Sequence, residues 1–454
     1  MVTELLGGVD VGTTSVKAVL ITAEGTEVAH GRAPTRWTTT AYGTESDPQA
    51  IVETARRALA EALAAVPGAR VSSLGLASMA ESGVLVGSGD SPVAPVIAWH
   101  DSRDTAQLAA LESELGGSRF SVRTGLPLWT QWSLTKHRWL VDNAPGVRAA
   151  TRRYNIAEWV VRNLGGAPAT ELSLASRTGW LDLAGGAPWE EALDWSGAAR
   201  YLLGDLVQAG TPLGTVPATD PLPQLRGATL TVAGHDHQAA VVGAGVFGAR
   251  DELDSCGTAE AIVRTIPAGL PDAALVALTG AGITVGWHVV KDHWCVLGAT
   301  QGGLVLQKVM AQLGIDRGGL ADLDRLAGAS VPGASSIALG AEAEDIRISG
   351  SQRPGDVWHA ATSAVTRQAR AISDSISRAT GPRGDLVVAG GWSNSAALMR
   401  AKAAAFGPLW RTGAREAGAR GAALLGGLAH GTYTTYDDLP RPPRTPLDGA
   451  DSCH

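Results

Sequence analysis

Short apolar runs separated by turns of glycine and hydroxyl residues mark the beginning of the chain. Apolar residues lead into the turn at residues 10–15 and continue over residues 16–21. This pattern predicts two strands joined in a hairpin, followed by a third strand near residues 26–30. Residues 49–65 instead carry apolar positions at helical spacing behind Asp47 and Pro48, which favour a helix start.

The same alternation of strand and helix patterns continues through most of the chain. Apolar runs predict strands at residues 71–76, 96–99, 229–233, 252–254, 259–264, 293–299 and 385–389. Helical spacing predicts helices at residues 105–115, 134–142, 157–163, 238–245, 302–313, 357–379, 396–406 and 416–430. The Trp-rich middle, residues 116–230, gives a weaker pattern.

The strand–turn–strand pattern of residues 5–21 returns at residues 252–265. This local echo predicts two related halves, with residues 1–245 as an N-terminal domain and residues 246–435 as a C-terminal domain. Proline and aspartate dominate residues 436–454, which predicts a loose tail.

Chain length and net charge limit the number of domains and the kinds of partner that this protein can have. A chain of 454 residues suits two domains, and a net charge of -7 without a Lys/Arg run disfavours nucleic acid as a partner. No signal peptide and no membrane-spanning run are expected. Cys256, Cys295 and Cys453 are too scattered for a disulfide framework or a zinc site, which favours a reducing, cytoplasmic location.

The turn at residues 10–15, here named the first loop, carries groups that suit phosphate. Gly12 allows close backbone approach, and Thr13, Thr14 and Ser15 offer N–H and O–H donors. Asp10 adds a carboxylate oxygen, the ligand type that Mg²⁺ prefers. An ordinary hairpin with an Asp-Gly turn is the alternative.

Five motifs in order resemble those of the FGGY carbohydrate kinases, over residues 6 to about 431. They are Asp10-Val11-Gly12-Thr13-Thr14-Ser15, Trp99-His100-Asp101-Ser102-Arg103, Gly234-His235-Asp236-His237, Ser255-Cys256-Gly257-Thr258 and Gly390-Gly391-Trp392-Ser393-Asn394-Ser395. The resemblance implies an α/β, two-domain actin-like ATPase fold of ribonuclease H type, with mixed sheets flanked by helices. ATP would lie in the interdomain cleft.

The resemblance also implies the roles of two aspartates. Asp236 would be the general base, because phosphoryl transfer needs an alcohol oxygen in line with the γ-phosphorus and an acceptor for its proton. The alternative is that Asp236 only caps the helix that follows. Asp10 would bind Mg²⁺, in part through water.

For the sugar, the resemblance points to Glu81, because the family has a substrate-contacting side chain at this position. His100, Asp101 and His237 would complete a polar rim, together with Asp236. The alternatives are an exposed loop glutamate for Glu81 and packed or surface histidines for His100 and His237. Trp99 is expected in the core more than as a ligand platform.

For ATP, residues of both halves are implied. Thr13, Thr14 and Ser15 would hold phosphates opposite Gly257 and Thr258 of the second loop (residues 255–258), and closure of the cleft would exclude water. The nucleoside contacts would come from Gly302, Gly390, Gly391 and Ser395. Trp392 replaces the small residue usual in the family, and stacking near the base and packing away from it stay open. Cys256 is expected to be a small filler.

The function implied is ATP-dependent phosphorylation of a hydroxyl, expected to be terminal, on a small sugar or polyol. Two alternatives remain. One is an actin-like ATPase of the chaperone or reactivating-factor type, and the other is a sugar-binding regulator without kinase activity. A homodimer is possible, although nothing in the sequence shows one.

Overall fold

The first sheet is built around the hairpin at the start of the chain. The computed structural model describes residues 3–340 and 345–447. Its first sheet contains β1 (Thr3–Val11), β2 (Ser15–Ile21), β3 (Glu27–Pro34), β4 (Ala69–Ser78) and β5 (Thr229–His235), in the order β5-β4-β1-β2-β3. The pairs β1–β2 and β2–β3 are antiparallel, whereas β1–β4 and β4–β5 are parallel. The predicted hairpin and third strand are therefore confirmed.

The second sheet repeats this arrangement. It contains β6 (Glu252–Cys256), β7 (Glu260–Pro267), β8 (Thr284–Trp287), β9 (His293–Thr300), β10 (Leu386–Ala389), β11 (Leu409–Thr412) and β12 (Arg444–Leu447). Their order is β8-β9-β7-β6-β10-β11-β12. The inner strands β11-β10-β6-β7-β9 have the same order and relative directions as the first sheet. The described strands thus show the two related halves that the sequence echo predicts.

Helices cover both sheets. The first half contains α1 (Pro48–Ala64), α2 (Thr105–Leu111), α3 (Gly117–Thr124), α4 (Ser133–Asn143), α5 (Ile156–Asn163), α6 (Leu172–Ala175), α7 (Glu190–Ser196) and α8 (Asp236–Gly243). Then follow α9 (Asp272–Gly280), α10 (Gly302–Gln312), α11 (Leu320–Gly328), α12 (Pro354–Thr380), α13 (Ala396–Phe406) and α14 (Ala417–His430).

The helices and sheets form layers. Helices α1 and α5 pack on one face of the first sheet, while α8 and α14 lie between the two sheets in a shared apolar core. Helices α10 to α13 pack on the outer face of the second sheet. The Trp-rich middle forms a separate small core that contains Trp132, Trp180 and Trp189.

Helix α14 packs on the first sheet at unusually close range. A Cβ built on Gly8 of β1 would lie 1.9 Å from the Ala419 carbonyl oxygen, and one on Gly75 of β4 would lie 1.9 Å from that of Ala422. Glycine is needed at both positions because any side chain would push the helix away. A helix of the predicted second domain therefore completes the first half, and the exact domain boundaries stay a prediction.

Short strand pairs and helical turns fill the connections. The strands are Thr38–Thr39, Thr44–Ser46 and Val96–Ile97; Gly83–Val86 with Arg152–Asn155; Thr170–Glu171 with Leu206–Val207; Leu181–Asp182 with Ala187–Pro188; and Ser335–Leu339 with Ile346–Gly350. Among the described residues, no helix has the length and apolar character needed to cross a bilayer.

The predicted loose tail differs from the structure over its described part. Arg444–Leu447 forms the edge strand β12, antiparallel to β11. The Tyr436 hydroxyl donates to the Val289 carbonyl at 2.7 Å, and Leu439 is buried. The proline-rich sequence did not indicate this strand, because proline disfavours an interior strand. Proline is tolerated on an edge strand, which is where this strand lies. Residues 448–454, with Cys453, lie outside the described part.

Candidate active site

Parallel strands bring three predicted acidic residues to one edge of the first sheet. In the register of β1, β4 and β5, Val11 pairs with Ser78 and Ser78 pairs with His235. The segments that carry Asp10, Glu81 and Asp236 therefore meet where these strands end.

Paired ends of parallel strands also bring two loops together in the second sheet. Ser255 at the end of β6 pairs with Ala389 at the end of β10, so the second loop lies beside Gly390 and Gly391. Gly390 has φ +88°, and a Cβ there would lie 2.5 Å from the Cys256 carbonyl oxygen. This position requires glycine for both its backbone conformation and its close packing.

A cavity of about 760 Å³ lies between these two sheet edges. Its lining includes the predicted residues Asp10, Asp236, His237, Gly257, Thr258, Gly390 and Gly391. It also includes Lys17, Arg32, Arg317, Arg411 and Arg415, which sequence analysis did not single out. A cavity with carboxylates at one side and several cations around it suits a polyphosphate with a bound cation.

Asp10 and Asp236 influence each other within this cavity. Burial, followed by the charge of Asp236, raises the pKa of Asp10 to about 7, against the opposing effect of Lys17. Burial likewise raises the pKa of Asp236 to about 7; the His237 N–H opposes this rise and the charge of Glu81 adds to it. Asp10 Oδ1 is buried with no hydrogen-bond partner among the described residues. Two crowded carboxylates with an unmatched oxygen form a site that a hard divalent cation would neutralise.

Asp236 is the first residue of α8, directly after the strand–helix turn. Its Oδ1 accepts a hydrogen bond from the His237 N–H at 2.6 Å and lies 3.2 Å from His235 Nε2. The residue that precedes the helix is His235, and its side chain makes no capping hydrogen bond. Asp236 accepts from the N–H of the adjacent residue and not from one two or three positions further on, within the described residues, so the helix-cap alternative accounts for little of its environment.

Glu81 is buried, with a backbone φ of +67° that is uncommon for a residue with a side chain. Its Oε1 accepts hydrogen bonds from Arg177 Nε at 2.7 Å and from Gln131 Nε2 at 3.2 Å. The Arg177 guanidinium also reaches Thr284 of the second sheet, through Nη1 at 2.6 Å. The exposed-loop alternative for Glu81 is therefore wrong, and its carboxylate is held by a buried cation that spans the two halves.

The first loop is braced by two tryptophans. Trp99 Nε1 donates to Thr13 Oγ1 at 2.8 Å, and Trp37 Nε1 donates to the Thr13 carbonyl at 2.8 Å. Ser15 is buried and its hydroxyl accepts from Arg32 Nε at 3.1 Å, whereas Thr14 is exposed. Trp99 packs against the first core, as expected, and in addition it fixes the loop.

His100 and Asp101 lie outside the cavity lining. His100 is exposed and contacts the rings of Trp37 and Trp99 by their edges, with centroids 6.3 Å and 5.3 Å away. Asp101 is buried and accepts from Arg103 Nε at 2.9 Å and from the Thr44 N–H at 2.6 Å. Burial acts to raise the pKa of Asp101, and the hydrogen bonds from Arg103 and Thr44 together with the charge of Arg103 outweigh it and lower the pKa. The Asp101 carboxylate therefore forms an internal ion pair and is not free to contact a substrate.

Two predicted nucleoside contacts also lie differently from the prediction. Ser395 is fully buried; its hydroxyl donates to Asp324 Oδ1 at 2.7 Å and accepts from the Leu398 N–H at 3.2 Å, which caps α13. Gly302 is buried at the start of α10, where its N–H donates to Thr300 Oγ1 at 3.1 Å. Both residues support the loops at the cavity and neither lines it.

A buried ion cluster supports the second loop from below. Lys402 of α13 contacts Asp254 and lies 2.5 Å from Glu260 Oε1, so it joins the residues on both sides of the loop. The Cys256 thiol lies 3.3 Å from Asp254 Oδ1, and burial raises its pKa well above the usual range. Cys256 is therefore a buried, protonated thiol, as expected of a small filler.

Lys17 lines the cavity and was not predicted, although the hairpin pattern contained a signal for it. The hairpin register places it directly opposite Asp10, and its Nζ lies 2.8 Å from Glu416 Oε2 at the start of α14. A four-residue turn at residues 12–15 already implies this pairing, because opposite residues of a hairpin share a face. Arg317 and Arg411 gave no such signal, since they approach from distant segments.

Comparisons with known proteins identify the family. Residues 5–243 match the model of the FGGY family of carbohydrate kinases, N-terminal domain. The chain belongs to this family. It is 28% identical to the glycerol kinase of Leifsonia xyli over 96% of this chain and 91% of that protein. It is also 31% identical to the xylulose kinase of Streptomyces rubiginosus, over 69% and 64% of the two chains.

Solved structures support the same fold for this FGGY kinase. A xyloylose kinase from Brucella ovis superposes with a TM-score of 0.87 at 20% identity, over 98% of this chain and 94% of that one. The two-domain actin-like fold expected from the sequence is thereby confirmed. The chain is therefore a carbohydrate kinase, as the sequence resemblance predicted.

Proposed function

We propose that the protein phosphorylates a terminal hydroxyl of a small ketose or polyol, with Asp236 as the general base. The observation that carries this proposal is the position of Asp236. Its carboxylate lines the cavity between the first and second loops, and its pKa is raised to about 7. A base with this pKa accepts a proton readily near neutral pH and returns it without a large energetic penalty.

The chain's own groups supply positioning and charge. The first and second loops would hold the phosphates from opposite sheets. Asp10 of the first loop and Gly257 and Thr258 of the second loop line the cavity, whereas Thr13, Thr14 and Ser15 lie outside its lining, and Lys17 and Arg32 place positive charge there. Asp236 would orient the acceptor hydroxyl and take its proton as the bond to phosphorus forms. Enclosure between the two halves would exclude water from the acceptor position.

Mg²⁺ fits the residues that are present. Asp10 offers a buried oxygen without a partner, beside a second carboxylate. We propose Asp10 as the residue that holds the ion. When bound, Mg²⁺ neutralises phosphate charge and polarises the γ-phosphoryl group.

The sugar would bind beside Asp236 and His237, on the side toward Glu81, which lines a separate, smaller cavity and whose charge acts on Asp236. Among residues 3–340 and 345–447, the hydrogen bonds of the Glu81 side chain all end on Oε1, which leaves Oε2 for substrate hydroxyls. His237 lines the cavity, and burial lowers its pKa, so its neutral ring can donate to one hydroxyl or accept from one. The relatives named glycerol kinase and xylulose kinase support a small polyol or ketose.

Substrate identity can be tested with a coupled ADP-release assay on the full chain over glycerol, other polyols, ketoses and sugar acids. The proposal expects one chemical group to stimulate ADP release strongly, with the phosphoryl group on a terminal oxygen by NMR. Release of ADP that none of these compounds stimulates would favour the ATPase alternative.

Asp236→Asn tests the base directly. The amide keeps the shape but cannot take a proton, so we expect kcat to fall about 10²–10⁴-fold with little change in ADP affinity. Asp437→Asn, at an exposed position outside the cavity, is the matched control. A kcat of Asp236→Asn within threefold of the wild-type value would contradict the role.

A further inference from the structure

Trp392, within the Gly390–Ser395 segment, packs against a second tryptophan at the wall of the cavity, with the two ring planes tilted by 43°. Its side chain is 3% exposed, and its ring lies 6.0 Å from that of the fully buried Trp358. Trp358 Nε1 donates to Asp324 Oδ1 at 2.7 Å, and Asp324 Oδ2 accepts from the Ala396 N–H at 2.7 Å. The indole of Trp392 is thus fixed relative to the start of α13.

Arg317 lies over the face of the Trp392 ring. Its guanidinium carbon lies 3.6 Å from the centroid of the Trp392 ring, which is a stacking distance. The residue belongs to a short helical turn that Asp316 pins by accepting from the Gly318 N–H at 2.9 Å. Trp392 therefore cannot present its free face to a ligand, because Arg317 already lies on it.

The guanidinium itself is left open toward the cavity. Arg317 is exposed and lines the cavity together with Gly391 and Asn394, which are exposed as well. Over residues 3–340 and 345–447, no carboxylate is paired with it. A planar cation that is supported on one face by an indole offers its other face to a flat, electron-rich ring, and guanidinium planes stack in this way on nucleobases.

We propose that Arg317, supported by Trp392, is the platform on which the base of the nucleotide stacks. This assignment rests on the proposed use of ATP as donor and adds a base-contacting residue to it. It resolves the two alternatives for Trp392, since the tryptophan acts on the base only through Arg317. The ligand part recognised is the purine ring and not the phosphates.

Binding of adenosine, ADP and inorganic pyrophosphate to the full chain tests this assignment by calorimetry. Arg317→Ala is expected to weaken adenosine and ADP about tenfold or more, in line with the usual loss when a base-stacking partner is removed, and to leave pyrophosphate unchanged. Arg317→Lys keeps the charge without the flat face, so we expect it to weaken adenosine similarly. Arg325→Ala, which removes an exposed charge on α11, should change none of the three affinities.

The opposite pattern would overturn the proposal. If both Arg317 variants bind adenosine as the wild type does, the base does not stack on Arg317. Weaker pyrophosphate binding in Arg317→Ala alone would show that the side chain contacts phosphate. A wild-type chain that binds neither adenosine nor ADP would instead refute the use of ATP. Because Arg317 is exposed, its substitution should preserve the fold, and the melting temperature of each variant checks this.

Discussion

Carboxylates around the cleft differ in how many internal partners they have. Asp101 is saturated by Arg103 and by the Thr44 N–H, whereas Asp10 Oδ1 has no partner within the described residues. The sequence predicted both aspartates in the site, because a sequence does not show which carboxylate has internal hydrogen-bond partners. The partner at Thr44 lies in a distant segment, and only the fold brings it to Asp101.

The raised pKa of Asp236 predicts a stability cost for the functional residue. Its carboxyl has a pKa of about 7 in the folded protein against an ordinary value of 3.8, so the folded chain binds this proton more tightly. Stability therefore falls as pH rises from about 4 through 7. In Mg²⁺-free buffer we expect Asp236→Asn to melt at a higher temperature than the wild type at pH 8, with a smaller difference at pH 5.

Thermal unfolding followed by circular dichroism at both pH values measures this effect. Asp437→Asn, on the exposed surface, should show no pH-dependent difference of this kind. An Asp236→Asn variant that melts below the wild type at pH 8 would mean that the Asp236 carboxylate is stabilised in the folded state.

At the scale of secondary-structure elements, the packing of helices against the loops fixes the positions of the loops. The backbones come into direct contact there. A Cβ built on Gly303 of α10 would lie 2.0 Å from the Gly257 carbonyl oxygen and 2.5 Å from that of Thr258. The start of α10 is thus packed directly on the second loop. Sequence analysis predicted α10 nearly within its observed bounds but assigned the neighbouring Gly302 to the nucleotide, because spacing alone does not tell which side of a loop a glycine faces.

Gly303→Ala should therefore distort the second loop. We expect the KM for ATP to rise at least several-fold, while the KM for the sugar changes little, because the proposed sugar site lies on the first sheet. Gly280→Ala is the matched control: Gly280 ends α9 and has no atom within 4 Å of its Cβ position. Steady-state kinetics with each substrate varied separately would show the split, and equal effects of the two variants would contradict the packing argument.

At the scale of the molecule, a five-stranded and a seven-stranded sheet that share the order of five strands face each other across α8 and α14. The local echo at residues 252–265 predicted related halves, and the strand orders confirm them. The position of α14 was not predictable, since its small, apolar residues suit many buried surfaces. Its buried Arg420 donates to the Gly243 carbonyl at 2.7 Å, which ties it to α8 of the first half.

A fragment of residues 1–245 should not fold by itself. Without α14, the face of the first sheet that carries Gly8 and Gly75 would be exposed, so we expect the fragment to aggregate or to unfold without a cooperative transition. The same fragment with residues 415–431 attached through a flexible linker is the control and should unfold cooperatively. Native-like, cooperative melting of residues 1–245 alone would show that α14 is dispensable.

The late position of α14 also affects how the protein is made. Synthesis proceeds from the N-terminus, so the strands of the first sheet leave the ribosome long before residues 417–430 do. Until residues 417–430 emerge, α14 cannot pack on the first sheet, and one face of that sheet is not buried by it. Most of the second half of the chain is therefore synthesised before this face can be buried. Substitutions on the sheet-facing side of α14 should therefore lower the yield of folded enzyme in cells more than the activity of the molecules that do fold.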